Sequence, residues 1–274
     1  MQSKRHYIGA YVQYAILAFA FLGPVLWMVS SSFKNNVDIT AYPPVFLFKP
    51  TLKNYLNLFR VYPFAKYILN SFIIAGFSTI LGLLMGVPAA YAIARFRLNS
   101  LAFLTLLARM APGVLFLIPW YIISTGLHLS GNDFTDYSSL ILAHCVVTMP
   151  LIVWLMISYF ESVPIDIEES AVIDGCSRLG LFFRISLPLS LPGLAVSMVL
   201  SFIFSWNYFL FALALANNST MPLTVIAFNF IGEGSADWGG LMAASTIISL
   251  PALILTIFAQ KLLIKGLTTG AVKG

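Results

Sequence analysis

Few groups in this chain of 274 residues have the chemistry of a reactive site: 9% of residues are charged, and there are three histidines and two cysteines. His144 and Cys145 stand side by side in an apolar run and invite a nucleophile reading. Neighbours on a helix point about 100° apart, however, and no third orienting group accompanies them. Cys145 and Cys176 have no second pair at metal-ligand spacing, so neither a disulfide framework nor a zinc site is indicated. Arg109 interrupts another apolar run, where an arginine costs about 2.5–3.5 kcal/mol unless it faces protein or water. It is expected to face inward, as a donor to solute hydroxyls, a contact to a partner chain or a member of an ion pair. His144 and Asn207 either line a passage with it or bond neighbouring helices. No G-x-x-x-x-G-K-S/T occurs, so the phosphate cradle of a nucleotide-hydrolysing site is absent from this polypeptide.

A membrane must position these groups. Hydrophobic types make up 59% of the chain and the mean hydropathy is +0.91, whereas soluble domains carry roughly a quarter charged residues. That excludes an ordinary soluble enzyme and a disordered or collagenous chain. A span needs about 20 apolar helical residues, and six runs qualify: His6 to Phe33, Tyr67 to Ala94, Leu98 to Ser130 with Arg109 inside it, Tyr137 to Phe160, Leu189 to Ala216, and Trp238 to Gln260. The first run is too long for the core of a signal peptide and lacks a small-residue cleavage site, so it is read as retained. The net charge of +5 does not imply nucleic acid, because Lys and Arg sit at the ends of the runs. Nine of them (Lys4, Arg5, Arg95, Arg97, Arg178, Arg184, Lys261, Lys265 and Lys273) fall on the face that carries both termini, and five (Lys34, Lys49, Lys53, Arg60 and Lys66) in the first loop of the other face. This excess predicts cytoplasmic termini. The stretch N-Y-L-N-L-F in that first loop reads as a short helix on the outer surface. Pro24, Pro88, Pro112, Pro119, Pro150 and Pro251 predict bent spans, and Gly82 and Gly86 a close helix approach in the second span.

The polar segment from Glu161 to Pro188 lies between the fourth and fifth spans. Pro164 suits a helix's first turn, and Asp166, Glu168 and Glu169 suit its positive N-terminal end. Gly175 is placed to end that helix in the left-handed conformation, after which Ser177 caps a second helix running through Arg184 towards Pro188. Ile165, Val172, Ile173, Leu181, Phe182 and Phe183 cannot all be hidden in so small an excursion and need a partner surface. A linker resting on the bilayer is the alternative, but an acidic first helix is repelled by anionic lipids.

At these residues the chain resembles the membrane subunit of binding-protein-dependent ABC importers. Their cytoplasmic loop reads E-A-A, three residues, G, nine residues, I, one residue, L-P; here it reads Glu169-Ser170-Ala171, Gly175, Ile185, Leu187-Pro188, with serine for one alanine. The ending K-G-L-T-T-G-A-V-K-G is similar to the tail of the maltose-type second permease subunit and its carbohydrate-importing relatives. Y-A-I-A-R at the end of the second span, L-K-N-Y in the first external loop, and Trp206-Asn207 agree with it.

The resemblance implies an all-α membrane protein with six transmembrane helices and the type I ABC importer permease fold. It divides the chain into residues 1–66 (tail, first span and external loop), a transmembrane domain 67–266 with its coupling loop at 161–188, and a tail 267–274. It implies a bacterial or archaeal inner membrane location and a non-enzymatic subunit that forms half of a passage for a sugar or oligosaccharide by alternating access. Its partners would be a second permease subunit, two ATPase subunits or domains that bind ATP and Mg, an extracytoplasmic solute-binding protein and membrane lipids; this chain itself would hold no cofactor. Glu168, Glu169, Ala171, Asp174, Gly175, Ile185, Leu187 and Pro188 would couple to the ATPase, with Glu169 and Asp174 making polar contacts, Gly175 the bend, and Ile185 and Leu187 anchoring the loop to its own bundle. Gly266, Leu267, Gly270, Lys273 and Gly274 would reach the ATPase interface, against the alternative of a frayed terminus. Phe228, Asn229, Phe230, Glu233 and Trp238 would meet the binding protein, although a tryptophan there equally suits an interfacial anchor. A secondary transporter is the principal rival, yet no internal repeat and no membrane-embedded carboxylate is visible in the sequence. Import of a non-sugar solute by the same machinery is the other.

Overall fold

Backbone groups inside a bilayer have to be hydrogen-bonded within their own segment, and the chain meets this requirement with helices; among the described residues there is no strand. The computed structural model describes residues 2–231 and 236–271, with side chains described at 9, 11–231 and 236–260. In order the helices are α1 (Gln2–Ser32), α2 (Asn36–Thr40), α3 (Lys53–Val61), α4 (Phe64–Arg95), α5 (Asn99–Met110), α6 (Val114–Gly126), α7 (Asp133–Ser162), α8 (Ile165–Ile173), α9 (Arg178–Leu181), a π-helical turn (Phe182–Ser186), α10 (Leu187–Leu189), α11 (Leu191–Trp206), α12 (Leu210–Leu215), α13 (Leu223–Asn229) and α14 (Trp238–Ala271). Among the described residues, four stretches are long and apolar enough to cross a membrane: Tyr11–Ser32, Phe64–Arg95, Asp133–Ser162 and Trp238–Gln260. Two bent pairs bring the total to six if each is one span.

One of those bent pairs corrects a span that the sequence reads as continuous. The run from Leu98 to Ser130 is split between α5 and α6, which meet at 98°. Pro112 forces the residue before it, Ala111, into an extended conformation (φ −65°, ψ 128°), and the helix restarts only after Gly113. The 76° bend at Ser190 and Pro192, between Arg178–Leu189 and Leu191–Trp206, falls where the sequence already divides the elbow from the fifth span. The apolar run to Ala216 is then broken between Trp206 and Leu210.

The chain forms two compact units. One comprises residues 1–66 and 226–250. In it Asn54, from the L-K-N-Y stretch, donates through Nδ2 to the carbonyls of Ser32 and Lys34 (2.8 Å each), oxygens at the end of α1 that lack a helical donor. Lys34 is fully buried: its Nζ donates to the Val45 carbonyl at 2.8 Å and lies 4.0 Å from the centroid of the Trp27 ring. Asp237 accepts from the Gly240 amide (3.0 Å) and from Asn36 Nδ2 (3.2 Å), fixing the start of α14.

The other unit comprises residues 67–225 and 251–274. Its larger core joins Leu83, Val87, Ala90 and Ile93 of α4 to Ile152, Val153, Met156 and Phe160 of α7, with Phe182 closing one end. Gly82 and Gly86 let α7 approach α4 closely. A β-carbon at Gly82 would lie 2.8 Å from Ile152 Cδ1, and one at Gly86 3.1 Å from Ile152 Cγ2. A second core, Ile74, Leu140, Ala212 and Val225, closes the opposite end of the same helices.

Candidate functional site

The segment between α7 and α11 forms an elbow with two helical arms. Pro164 is extended just before α8, and acids at Asp166 and Glu168 occupy the first turn. Gly175 has φ +85°, a left-handed conformation that turns the chain after α8. The Gly180 amide then donates to Ser177 Oγ at 3.2 Å, capping the second arm, which continues through the π-helical turn and α10.

Of the six apolar residues that the sequence leaves in need of cover, two are hidden by the chain itself. Leu181 and Phe182 are buried, the Phe182 ring lying 5.1 Å from that of Tyr91. Ile165, Val172, Ile173 and Phe183 are exposed, as are Ile167 and Leu179; Ile173 is 86% exposed. Glu169, Asp174, Gly175 and Pro188 are exposed too, and Ala171 is partly buried. Ile185 and Leu187 are partly buried, Leu187 against the core that holds Phe182. The elbow therefore presents a surface that is apolar with acids interspersed.

Glu168 departs from the set in which the sequence grouped it, because it points towards its own bundle. Its carboxylate is buried and accepts from Arg95 Nε (2.9 Å) and Nη2 (2.8 Å), from Ser186 Oγ (2.5 Å) and from the Tyr91 hydroxyl (3.4 Å). Arg95 Nη2 also donates to the Val163 carbonyl at 3.3 Å. A buried pair is stable only when its remaining hydrogen-bonding groups are satisfied, as they are here, and removing one partner alone costs about 3–5 kcal/mol. In the sequence Arg95 reads as a topology charge, and nothing marks Ser186 or Tyr91 as its companions around Glu168. The Y-A-I-A-R stretch was the available signal, but a partner 73 residues away cannot be read from spacing.

The three polar residues proposed for the passage are not brought together. His144 is buried: its Nδ1 is 2.8 Å from Ser205 Oγ, which is 2.9 Å from Ser78 Oγ, and its ring meets those of Tyr208 and Phe211. It ties α4, α7 and α11 together. Asn207 is exposed at the end of α11, with Nδ2 donating to the Ile203 carbonyl at 2.8 Å. Arg109 does not face the core of its own chain. It is exposed on the surface of this chain, with its guanidinium 5.2 Å from the centroid of Trp154, itself 44% exposed. In the sequence Trp154 is one aromatic in an apolar run, which carries no signal until its neighbour is known.

At the end of α13, Phe228 and Asn229 are exposed, and Trp238 at the start of α14 is partly so. Phe230 is instead buried, its ring edge-on to Tyr62 at 5.3 Å, which removes it from any contact surface in this conformation. Glu233 lies outside the described residues. Gly266, Leu267 and Gly270 fall on the backbone of α14, which continues to Ala271; Lys273 and Gly274 lie outside the described residues.

With the elbow and its spacing in view, comparison with known proteins is decisive. Residues 78–269 match the family described as the inner membrane component of binding-protein-dependent transport systems. The chain belongs to this family. A probable ABC transporter permease protein of Sinorhizobium fredii is 37% identical to it over 264 residues, covering 95% of this chain and 93% of that one. The sulfoquinovosyl glycerol transport system permease protein of Agrobacterium fabrum is 34% identical over 271 residues, covering 96% and 93%. The trehalose/maltose transport system permease protein of Thermococcus litoralis is 32% identical over 277 residues, covering 94% of each chain. A crystal structure of a bacterial ABC transporter involved in import of the acidic polysaccharide alginate aligns with a TM-score of 0.77 over 95% of this chain and 98% of its own, at 22% identity. The permease accordingly has the all-α, type I importer fold. Its membership sets aside the secondary-transporter and intramembrane-enzyme readings: a permease of this family is a non-catalytic inner-membrane subunit, and hydrolysis belongs to separate subunits.

Proposed function

We propose that the permease forms half of the passage of an ATP-driven carbohydrate importer, alternating between inward- and outward-open states. The observation that carries this reading is the exposed elbow surface, on which Ile173, Leu179 and Phe183 stand with Glu169 and Asp174. An exposed apolar patch of this kind suits protein docking, and a packed interface transmits displacement as rigid movement. Two ATPase subunits binding ATP and Mg would seat on it, a second permease would complete the passage, and an extracytoplasmic binding protein would deliver solute. Cytoplasmic termini follow from the nine Lys and Arg on that face and from the acidic elbow sharing it. The named sugar permeases among its relatives favour a saccharide cargo. In liposomes holding the purified complex, uptake of labelled saccharide should require ATP; uptake by this chain alone would overturn the proposal.

Arg109 belongs on the passage in this reading. It is exposed on its own chain yet set deep in an apolar span, where facing lipid is costly, so it faces water or the partner permease. Beside the Trp154 ring it offers a donor and an aromatic face, a combination suited to a sugar. A hydrogen bond to a charged group contributes about 1.5–3 kcal/mol. Arg109→Ala is therefore expected to raise the half-saturating solute concentration for uptake by about tenfold or more while ATP hydrolysis by the complex persists. An unchanged concentration dependence removes Arg109 from the passage.

The tail is a second contact with the ATPase, because Gly266, Gly270 and Gly274 permit close backbone approach. Deleting residues 268–274 should lower solute-stimulated ATP hydrolysis in the assembled complex; a normal rate means that this end is frayed. Phe228, Asn229 and Trp238 supply the outer contact with the binding protein, a role that Phe230 gives up by burial.

A further inference from the structure

One carboxylate joins three separate stretches of the second unit. Glu168 comes from α8, Arg95 and Tyr91 from the last turns of the 32-residue helix α4, and Ser186 from the end of the π-helical turn that leads towards α11. Both arms of the elbow and the end of a membrane span therefore converge on a single buried point. The surrounding contacts are apolar, the rings of Phe182, Tyr91 and Phe160 lying within 5.1–6.3 Å of one another. Apolar contact is non-directional and tolerates sliding. A charge-assisted pair with two guanidinium nitrogens on one oxygen does not, because a small displacement leaves buried charge uncompensated. A π-helical turn is uncommon and often marks a functional position, and here it brings the Ser186 hydroxyl within 2.5 Å of Glu168.

We infer that Arg95 is a positioning residue for coupling: its pair with Glu168 is the pin through which movement of the elbow becomes movement of α4. The inference rests on the reading of the elbow as the ATPase socket. A pair that merely kept the elbow folded would be needed for assembly and for nothing after it. A pin is needed during each cycle, in a complex that has already assembled.

The test uses the full complex of this chain, its partner permease, the ATPase subunits and the binding protein in liposomes. With Arg95→Gln the ATPase subunits should co-purify in normal amount, while uptake falls about tenfold or more, a change of one decade in rate, and solute-loaded binding protein no longer stimulates ATP hydrolysis. Exchanging the pair, Arg95→Glu with Glu168→Arg, should restore part of both. Ser186→Ala removes one donor without unpairing a charge. It should fold normally and lose uptake severalfold, which keeps the test open if Arg95→Gln does not insert. Spin labels at Leu84→Cys and Ile173→Cys, in a background lacking Cys145 and Cys176, should keep their separation between nucleotide-free and vanadate-trapped states, and lose that constancy when Arg95→Gln is added. Parent-like uptake and stimulation by Arg95→Gln and Ser186→Ala would overturn the inference. So would loss of the ATPase subunits from every variant that breaks the pair, which is the signature of a purely structural role. Failure of the unsubstituted complex to take up solute with ATP would instead overturn the reading beneath it.

Discussion

Replacing Gly113 by leucine is expected to abolish uptake and to lower the thermal stability of the solubilised complex. Gly113 stands at the restart of the broken third span, and a β-carbon there would lie 1.6 Å from the Tyr208 hydroxyl oxygen and 2.9 Å from Cζ. No side chain fits without displacing that tyrosine. Its ring is not free to swing, being packed against His144 (5.6 Å), Phe211 (5.2 Å) and Phe204 (5.7 Å). Overpacking of this kind costs about 1–3 kcal/mol for a small excess of volume, and more for leucine. Gly113→Ala should therefore be the milder change. Adding Tyr208→Phe, which removes the nearest atom, should recover part of what alanine loses, by unfolding temperature and by uptake alike. Absence of any rescue would mean that the clash is not the cause. The consequence reaches beyond one contact, because Gly113 and Tyr208 each sit at an interruption of a span, and His144 beside them joins α4, α7 and α11 through Ser205 and Ser78. Breaks held against one another in this way let two bent spans move as a body.

The limits of the sequence follow from what each feature depends on. Six apolar runs were legible because span length is set by bilayer thickness and does not depend on neighbours. The stop at Gly175 and the cap at Ser177 were legible because both are local backbone chemistry. The sharp angle at Pro112 was only half legible: proline predicts a bend, but a 98° turn requires something to pack into it, and that is Tyr208 from another span. The side of the elbow to which each acid belongs was not legible at all. Asp166, Glu168 and Glu169 fall within one helical turn, and only the position of Arg95, brought by α4, selects Glu168 for burial. The same holds for His144, which composition offers equally as passage lining and as helix glue until Ser205 and Tyr208 are seen around it. Local signals survive in one dimension; pairings between distant spans do not.

At the elbow, Gly175→Val should leave the permease inserted and assembled but eliminate solute-stimulated ATP hydrolysis and uptake. The cause here is backbone and not space, since nothing lies within 4 Å of where a β-carbon would stand, while φ is +85°. A residue other than glycine pays roughly 1–3 kcal/mol in that region, and a β-branched one the most. Valine escapes the strain by returning to negative φ, which swings the second arm of the elbow, with its exposed Leu179 and Phe183, away from its orientation to α8. Asparagine tolerates the left-handed conformation better than other residues, so Gly175→Asn should retain most of the activity that valine removes. This contrast is informative because the two side chains are similar in size. If both variants transport normally, the angle between the arms is immaterial to coupling. If both are equally inactive, glycine is needed at 175 for close approach by the docked ATPase and not for the turn. A large difference between them means that the orientation of the second arm, and with it the continuity of the docking surface, is what the left-handed glycine maintains.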